Sequence, residues 1–220
     1  MKPTTCYRFV NEDMTSKQDE KTKWKIGEWN KINGKIECCK NGFHASLTPL
    51  QSLNNVYGNK WFIAEFRGKT DKQTDKFCAS EMKLTKEIPI EVLKRFAIWC
   101  AKDCLINFEK EYPNDKRPVE AIQAAEDYLD GKIDIKELNN KVSAAWAAAW
   151  AAARADAAWV AAGAAEAAAD AAAWAAGAAR AARAAADAAW VAAGAAEAAG
   201  AAARKRQNKE LLKLIKEATK

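Results

Sequence analysis

The segment DAAWVAAGAAE at residues 156–166 recurs unchanged at residues 187–197, which gives the C-terminal part of the chain an internal repeat of about 31 residues. Alanine makes up about two-thirds of residues 144–203. Because alanine has the best helix propensity and loses no side-chain entropy on folding, this alanine tract is predicted to be helical whatever surrounds it. The first hundred residues have an ordinary globular composition, so the chain is predicted to contain two domains.

The larger residues of the alanine tract recur at steps of three and four, and therefore share one slowly drifting helical face. A single helix of this length would extend for about 90 Å and would bury nothing. We favour several packed antiparallel helices. The candidate break points are the glycines of the tract: Gly163, Gly177, Gly194 and Gly200.

Tryptophan and arginine on this face have two possible roles. Turned inward, the tryptophans fill the gaps that alanines leave in the core of a bundle, with the charges at its rim. Turned toward a ligand or partner, they stack on bases, pair with phosphates or form the centre of a protein interface. The predicted binding residues, called here the Trp/Arg face, are Trp159, Trp174, Arg180, Arg183, Asp187 and Trp190.

The residues before the tract predict an α+β domain over 1–87, followed by an all-α bundle over 88–220. The β-branched and aromatic content predicts strands at 5–10, 23–26, 34–38, 61–66 and 78–85. The second and third of these strands would flank the turn signal Asn33-Gly34. A short helix is predicted to begin after Thr48 and to end at about Val56, and residues 68–76 are predicted to form a loop.

Apolar residues at helical spacing predict a buried helix over 90–111. The turn at 112–115 ends this helix, and Pro118 and Gly131 bound a second helix at 119–129. Asp115 and Arg117 are predicted to fix the turn by a local ion pair. Asp134 or Ile135 is expected to begin the next segment.

Composition excludes several classes of protein. The single histidine, His44, rules out a multi-histidine metal site, and no phosphate-binding glycine motif is present. No metal or cofactor is therefore predicted.

The net charge of +6 is too modest to favour a nucleic-acid partner. The charges spread through the alanine tract exclude a membrane span. The N-terminus lacks the apolar run of a secretory signal.

Six cysteines without a CxxC pair favour reduced thiols in a cytoplasm. Cys38 and Cys39 are adjacent, and Cys100 and Cys104 are one helical turn apart. His44 is predicted to be a hydrogen-bonded structural residue. A nucleophilic pair between His44 and Cys38 or Cys39 is a weaker alternative, because nothing in the sequence supplies an orienting third group.

The N-terminal domain resembles a domain of unknown function found in phage and prophage proteins. The resemblance covers residues 5–87 and is carried by Gly42-Phe43-His44-Ala45-Ser46, Pro49-Leu50 and residues 61–66. It implies a phage or prophage origin.

The same domain also resembles an ADP-ribosyltransferase core, with Arg8, Ser46 and Glu81 in the order of that family's catalytic residues. The serine strand of the family is missing here, since residues 45–48 read Ala-Ser-Leu-Thr.

The C-terminal part resembles the alanine-rich immunity domains associated with bacterial polymorphic toxins. The resemblance covers residues 95–203, and its most specific element is the turn Tyr112-Pro113-Asn114-Asp115-Lys116-Arg117-Pro118 between two helices. It implies a helical module that binds and neutralises a partner.

The leading functional prediction is a cytoplasmic, non-enzymatic protein that sequesters a toxin or a component of an antiphage defence system through the Trp/Arg face. The partner would be a protein or a nucleotide-type small molecule. One alternative is an ADP-ribosyltransferase. The other is a homo-oligomeric scaffold, because close packing of alanine faces favours self-association.

Overall fold

A computed structural model describes residues 2–55, 58–151 and 200–220 of the chain. An antiparallel sheet precedes a series of helices, which confirms the α+β class. The all-α bundle predicted over 88–220 is described only in part, because residues 152–199 of the alanine tract lie outside the described residues. The described chain divides into two compact units, residues 2–90 with Leu211–Lys220 and residues 91–151 with 200–210. The domain boundary at 87/88 stays a prediction.

The sheet of the first unit has five strands within the described residues. They are β1 (Thr4–Val10), β2 (Trp29–Lys31), β3 (Phe43–Ala45), β4 (Lys60–Lys72) and β5 (Phe77–Ile88). The order across the sheet is β1-β4-β5-β2, and β3 pairs with the beginning of β5. All pairings are antiparallel. The strands predicted at 5–10, 61–66 and 78–85 are confirmed within β1, β4 and β5.

Large apolar side chains form the core of this unit. Trp61, Phe62 and Met82 are fully buried, and Trp61 stacks on Phe9 with ring centres 5.6 Å apart. The Trp61 indole N–H donates to the hydroxyl of Ser52 at 3.0 Å, so its polar atom is satisfied in the interior. Each such side chain contributes about 1.5–3 kcal/mol through burial.

The strands predicted at 23–26 and 34–38 are wrong. Trp24 is buried, and its segment bends at Gly27, whose φ is +86°. Residues 34–38 belong to a loop in which the side-chain amide of Asn41 donates to the carbonyls of Asn33 and Lys35, both at 2.9 Å. These bonds occupy backbone groups that a strand would use, so the hairpin around Asn33-Gly34 does not form.

The loop predicted at 68–76 is also wrong in extent, because β4 continues to Lys72. Gly68, with φ of +83°, creates a bulge in which Lys69 N–H donates to the Ser80 hydroxyl at 2.9 Å. Beyond the bulge, Thr70 pairs with Ala79. The polar character of this segment therefore reflects an exposed hairpin end.

The helices follow their sequence signals closely. They are α1 (Pro49–Leu53), α2 (Ile90–Glu111), α3 (Arg117–Leu129), α4 (Ile135–Ala151) and the C-terminal helix (Gly200–Ala218). The Thr48 side chain caps α1 as predicted, although the helix ends before Val56. No helix in the described ranges is long and apolar enough to cross a membrane.

Candidate functional site

The Trp/Arg face belongs to the part of the chain outside the described residues, so its arrangement stays a prediction. All six of its members, Trp159, Trp174, Arg180, Arg183, Asp187 and Trp190, fall between residues 152 and 199. The site features that the structure does describe lie in two places. One is the turn between α2 and α3, and the other is the part of the sheet unit around β1, β3 and β5.

The turn between α2 and α3 is fixed by the ion pair that the sequence predicts. Arg117 Nε and Nη2 donate to the two carboxylate oxygens of Asp115 at 2.9 and 2.6 Å, and Arg117 N–H donates to the same carboxylate at 3.1 Å. These hydrogen bonds lower the pKa of Asp115 and raise the pKa of Arg117. Pro118 then occupies the first turn of α3, where its missing N–H costs nothing.

An open groove of about 690 Å³ lies at this turn. Its walls come from seven residues in or near the turn: Tyr112, Pro113, Asn114, Asp115, Lys116, Arg117 and Glu120. Glu120 accepts a hydrogen bond from Lys141 Nζ of α4 at 2.8 Å. Because the groove is wide open to solvent and carries paired charges, it suits contact with a larger surface better than enclosure of a small molecule.

Arg8 and Ser46, two of the residues predicted for a transferase, line one small cavity in the sheet unit. Its volume is about 10 Å³, room for roughly one water molecule and far below the roughly 300–1,000 Å³ of typical ligand pockets. The Ser46 hydroxyl donates to the carbonyl of Asp75 at 3.0 Å, and the Ser46 backbone pairs with Tyr7. Both residues therefore lie in an interior that is already packed.

Glu81, the third of those residues, lies on β5 in a row of surface charges. Its carboxylate accepts a hydrogen bond from Arg67 Nε at 2.8 Å and lies 3.8 Å from Lys31 Nζ. These partners lower the pKa of Glu81. Glu81 is not among the residues that line the cavity of Arg8 and Ser46, so the described structure does not bring the three predicted residues together.

Arg8 is a buried cation whose hydrogen-bond partners are neutral. Its Nη2 donates to Ser16 Oγ at 2.9 Å and to Gln18 Oε1 at 3.2 Å, and its Nη1 donates to the carbonyl of His44. The Trp24 indole N–H donates to the same Ser16 hydroxyl at 2.8 Å, and the guanidinium carbon lies 4.7 Å from the Trp24 ring centre. Burial lowers the pKa of Arg8 to about 10. This network holds the segment after β1 against the sheet.

Cys38, His44 and Cys78 converge from three separate segments. One potential ligand atom of each lies within 4.8 Å of those of the other two. His44 on β3 is paired directly with Cys78 on β5, which places the two side chains on the same face of the sheet. Cys38 is held by Asp71, whose carboxylate accepts from Cys38 N–H at 2.8 Å and whose carbonyl accepts from Cys38 Sγ at 3.3 Å.

The surroundings of these three side chains favour their uncharged forms, two thiols and a neutral imidazole. Burial raises the pKa of Cys38 and raises that of Cys78 to about 12. Burial, together with the charge of Arg8, lowers the pKa of His44. A bound cation would displace the thiol protons, as metals do at cysteine sites.

His44 is hydrogen-bonded, since its Nε2 accepts from Cys39 N–H at 2.8 Å. Cys39 thus contacts the imidazole through its backbone, and Cys38 Sγ donates to a carbonyl. Sequence reasoning paired His44 only with its chain neighbours and missed Cys78. No local signal identifies Cys78, because it reaches His44 only through the pairing of β3 with β5.

Comparison with known proteins identifies two regions. Residues 83–218 match the family described as Imm-5 like putative immunity protein. Residues 4–95 match a domain of unknown function, DUF7666. The match over 83–218 confirms the resemblance drawn from the turn and the alanine tract. The phage origin stays a prediction. No curated protein and no solved structure matches the chain.

Proposed function

Because the chain belongs to the family of Imm-5 like putative immunity proteins, we propose that it neutralises a protein toxin by binding to it. The observation that carries the proposal is the match over residues 83–218, which covers all of α2, α3 and α4 and the whole alanine tract. The proposed activity is stoichiometric and non-enzymatic, and the proposed location is the cytoplasm.

The proposed contact surface is the Trp/Arg face. Tryptophan and arginine are enriched among the residues that dominate binding energy at protein interfaces, and they lie here among alanines that supply little side-chain area. The groove at the α2–α3 turn contributes a second contact. Its exposed rim and fixed Asp115–Arg117 pair give a rigid polar surface of the kind found at the edge of an interface.

The test is co-expression with a polymorphic toxin encoded beside this protein, scored by growth of the host. We expect the native chain to restore growth and to form a complex that survives size-exclusion chromatography. The double variant Trp174→Ala with Arg180→Ala should lose both effects while circular dichroism shows an unchanged helix content. Full rescue by this folded double variant would exclude the Trp/Arg face.

A matched pair of variants tests the groove separately. Arg117→Ala removes the side chain that fixes the turn, whereas Lys116→Ala removes a neighbouring exposed cation and leaves the Asp115–Arg117 pair intact. Weaker toxin binding by Arg117→Ala alone would support a role for the shape of the turn. Equal loss in both variants would indicate a simple effect of charge.

Native mass spectrometry of the purified chain distinguishes the remaining alternatives. A co-purifying nucleotide would indicate that the sequestered partner is a small molecule and not a protein toxin. A defined oligomer that neutralises no toxin would favour the scaffold. Transfer of label from NAD that is abolished in Glu81→Ala would favour the transferase.

A further inference from the structure

The cluster of Cys38, His44 and Cys78 belongs to the sheet unit and takes no part in the proposed toxin contact. We propose that these three side chains bind one Zn²⁺ ion. The proposal rests on the convergence of two sulfur donors and one imidazole from a loop, β3 and β5, with their ligand atoms within 4.8 Å of one another.

The spacing is close to that of an assembled zinc site. Zinc binds sulfur at about 2.3 Å and imidazole nitrogen at about 2.0–2.1 Å, so tetrahedral ligands lie roughly 3.3–3.8 Å apart. Because the three donor atoms lie within 4.8 Å of one another, they need to approach by no more than about 1 Å. A shift of this size is within reach of side-chain rotation, and the strand pairing of His44 with Cys78 need not change.

The backbone around the cluster is built to hold the loop close to β5. Gly42 has φ of +135°, and a Cβ at this position would lie 3.0 Å from both Cβ and Sγ of Cys78. A residue with a side chain would therefore push the loop away from Cys78. The loop is closed by the backbone pair Glu37–Asn41, and Asp71 fixes the N–H of Cys38.

The hydrogen bonds of His44 fit the role of a ligand. Its Nε2 has a lone pair that now accepts the Cys39 N–H, and a backbone hydrogen bond with Gly42 acts on the same ring. Histidine ligands commonly donate their second ring N–H to a backbone carbonyl, which orients the ring toward the metal. Zinc would replace the Cys39 N–H, which belongs to an exposed residue at a turn with φ of +67°.

The chemistry of the three donor atoms favours zinc. Thiolates and imidazole favour zinc over the hard cations Mg²⁺ and Ca²⁺, which prefer oxygen ligands. Three protein ligands leave the fourth position of a tetrahedral site for water. A bound ion would tie the loop at 37–41 to the sheet and stabilise the folded state by mass action.

The first experiment uses the full-length chain, reduced and stripped of metal with a chelator. It is titrated with Co²⁺ as the spectroscopic probe and then with Zn²⁺ in competition. We expect one equivalent of Co²⁺ to produce thiolate-to-cobalt charge-transfer bands, and one equivalent of Zn²⁺ to remove them. The absence of charge-transfer bands would overturn the proposal.

Variants assign the ligands. Cys38→Ser, Cys78→Ser and His44→Gln should each weaken Zn²⁺ binding by more than about 100-fold, beyond the roughly 10–100-fold cost of losing an outer partner. Cys39→Ser is the matched control, because it alters an adjacent exposed thiol outside the cluster and should leave binding unchanged. An equal loss in Cys39→Ser would overturn the assignment.

A measurement on the native chain covers the case in which a variant fails to fold. Zn²⁺ should slow alkylation of Cys38 and Cys78 and leave that of the exposed Cys39 unchanged, as read by mass spectrometry of the labelled peptides. Equal protection of all three thiols would contradict the site. A Cys38–Cys78 disulfide that forms in air despite added Zn²⁺ would also overturn the metal proposal.

Discussion

The core of the sheet and the α3–α4 pair are packed from different kinds of side chain. The sheet core is built from large rings, including Trp61, Phe62 and Phe77, whereas α3 buries mainly alanines beside Ile122. A few large contacts with specific geometry define the first, and many small contacts on strongly helical segments define the second. Single substitutions should therefore disrupt the sheet core much more than the helix pair.

The largest effect is expected for Trp61→Ala. It removes a fully buried ring, its stacking on Phe9 and the hydrogen bond to Ser52, and should lower the free energy of unfolding by about 3–5 kcal/mol. Ala125→Gly in α3 is the comparison and should cost about 1–2 kcal/mol, from helix propensity and the loss of one buried methyl group. Urea denaturation measures both. Similar losses of unfolding free energy in the two variants would contradict the proposed difference between the two cores.

Two glycines with positive φ sharpen the same comparison. Gly42→Ala in the sheet unit adds a Cβ 3.0 Å from Cys78 in a strained conformation, and should cost about 2–4 kcal/mol. Gly131→Ala after α3 meets nothing within 4 Å, so only the left-handed conformation opposes it, at about 1–2 kcal/mol. Thermal unfolding of the two variants tests the order. A larger cost at Gly131 would contradict it.

Arg8→Met tests how much the stability of the sheet unit depends on the buried hydrogen-bond network around Arg8. The change removes the bonds to Ser16, Gln18 and the His44 carbonyl but also removes a buried charge, so we expect a net loss of about 1–3 kcal/mol. The Trp24 indole keeps its bond to Ser16. Hydrogen exchange should show faster opening of the segment after β1. Unchanged exchange there would mean that Trp24 alone holds it.

The smallest effect is expected at the α2–α3 turn. Asp115→Asn weakens a half-exposed ion pair and should cost up to about 1 kcal/mol at neutral pH. The folded-state pKa of Asp115 lies below its ordinary value of 3.8, so its contribution is full above that value and is lost as the pH falls through the folded pKa. The difference between native chain and variant should therefore vanish in acid. A difference that persists there would require another cause.

Local signals predict much of this fold. The bounds of α2 follow from apolar spacing alone, and the turn at Asp115–Arg117 follows from residues two positions apart. The region from 23 to 38 could not be predicted in the same way. Its conformation depends on Ser16 receiving hydrogen bonds from both Arg8 and Trp24, and on Asn41 bonding to two carbonyls. Such side-chain contacts join residues six to eight positions apart within irregular loops, and they leave no periodic pattern in the sequence.

The candidate sites follow the same division. The fixed turn was predictable because its partners are neighbours in the chain, whereas the thiol and imidazole cluster requires the register of β3 against β5. The transferase residues illustrate the converse. Arg8, Ser46 and Glu81 occur in a suggestive order, yet Glu81 is paired with Arg67 and Lys31 rather than lining the cavity of the other two.

The side-chain bonds of Asn41 also bear on the chemical ageing of the polypeptide. Both Asn33 and Asn41 precede glycine, the sequence in which asparagine deamidates most readily through attack by the following backbone nitrogen. The Asn41 amide is held by the carbonyls of Asn33 and Lys35, so it is not free to turn toward the nitrogen of Gly42. The two dipeptides should therefore deamidate at different rates. Asn33 should convert to aspartate or isoaspartate first, and Asn41 should follow only after the loop opens.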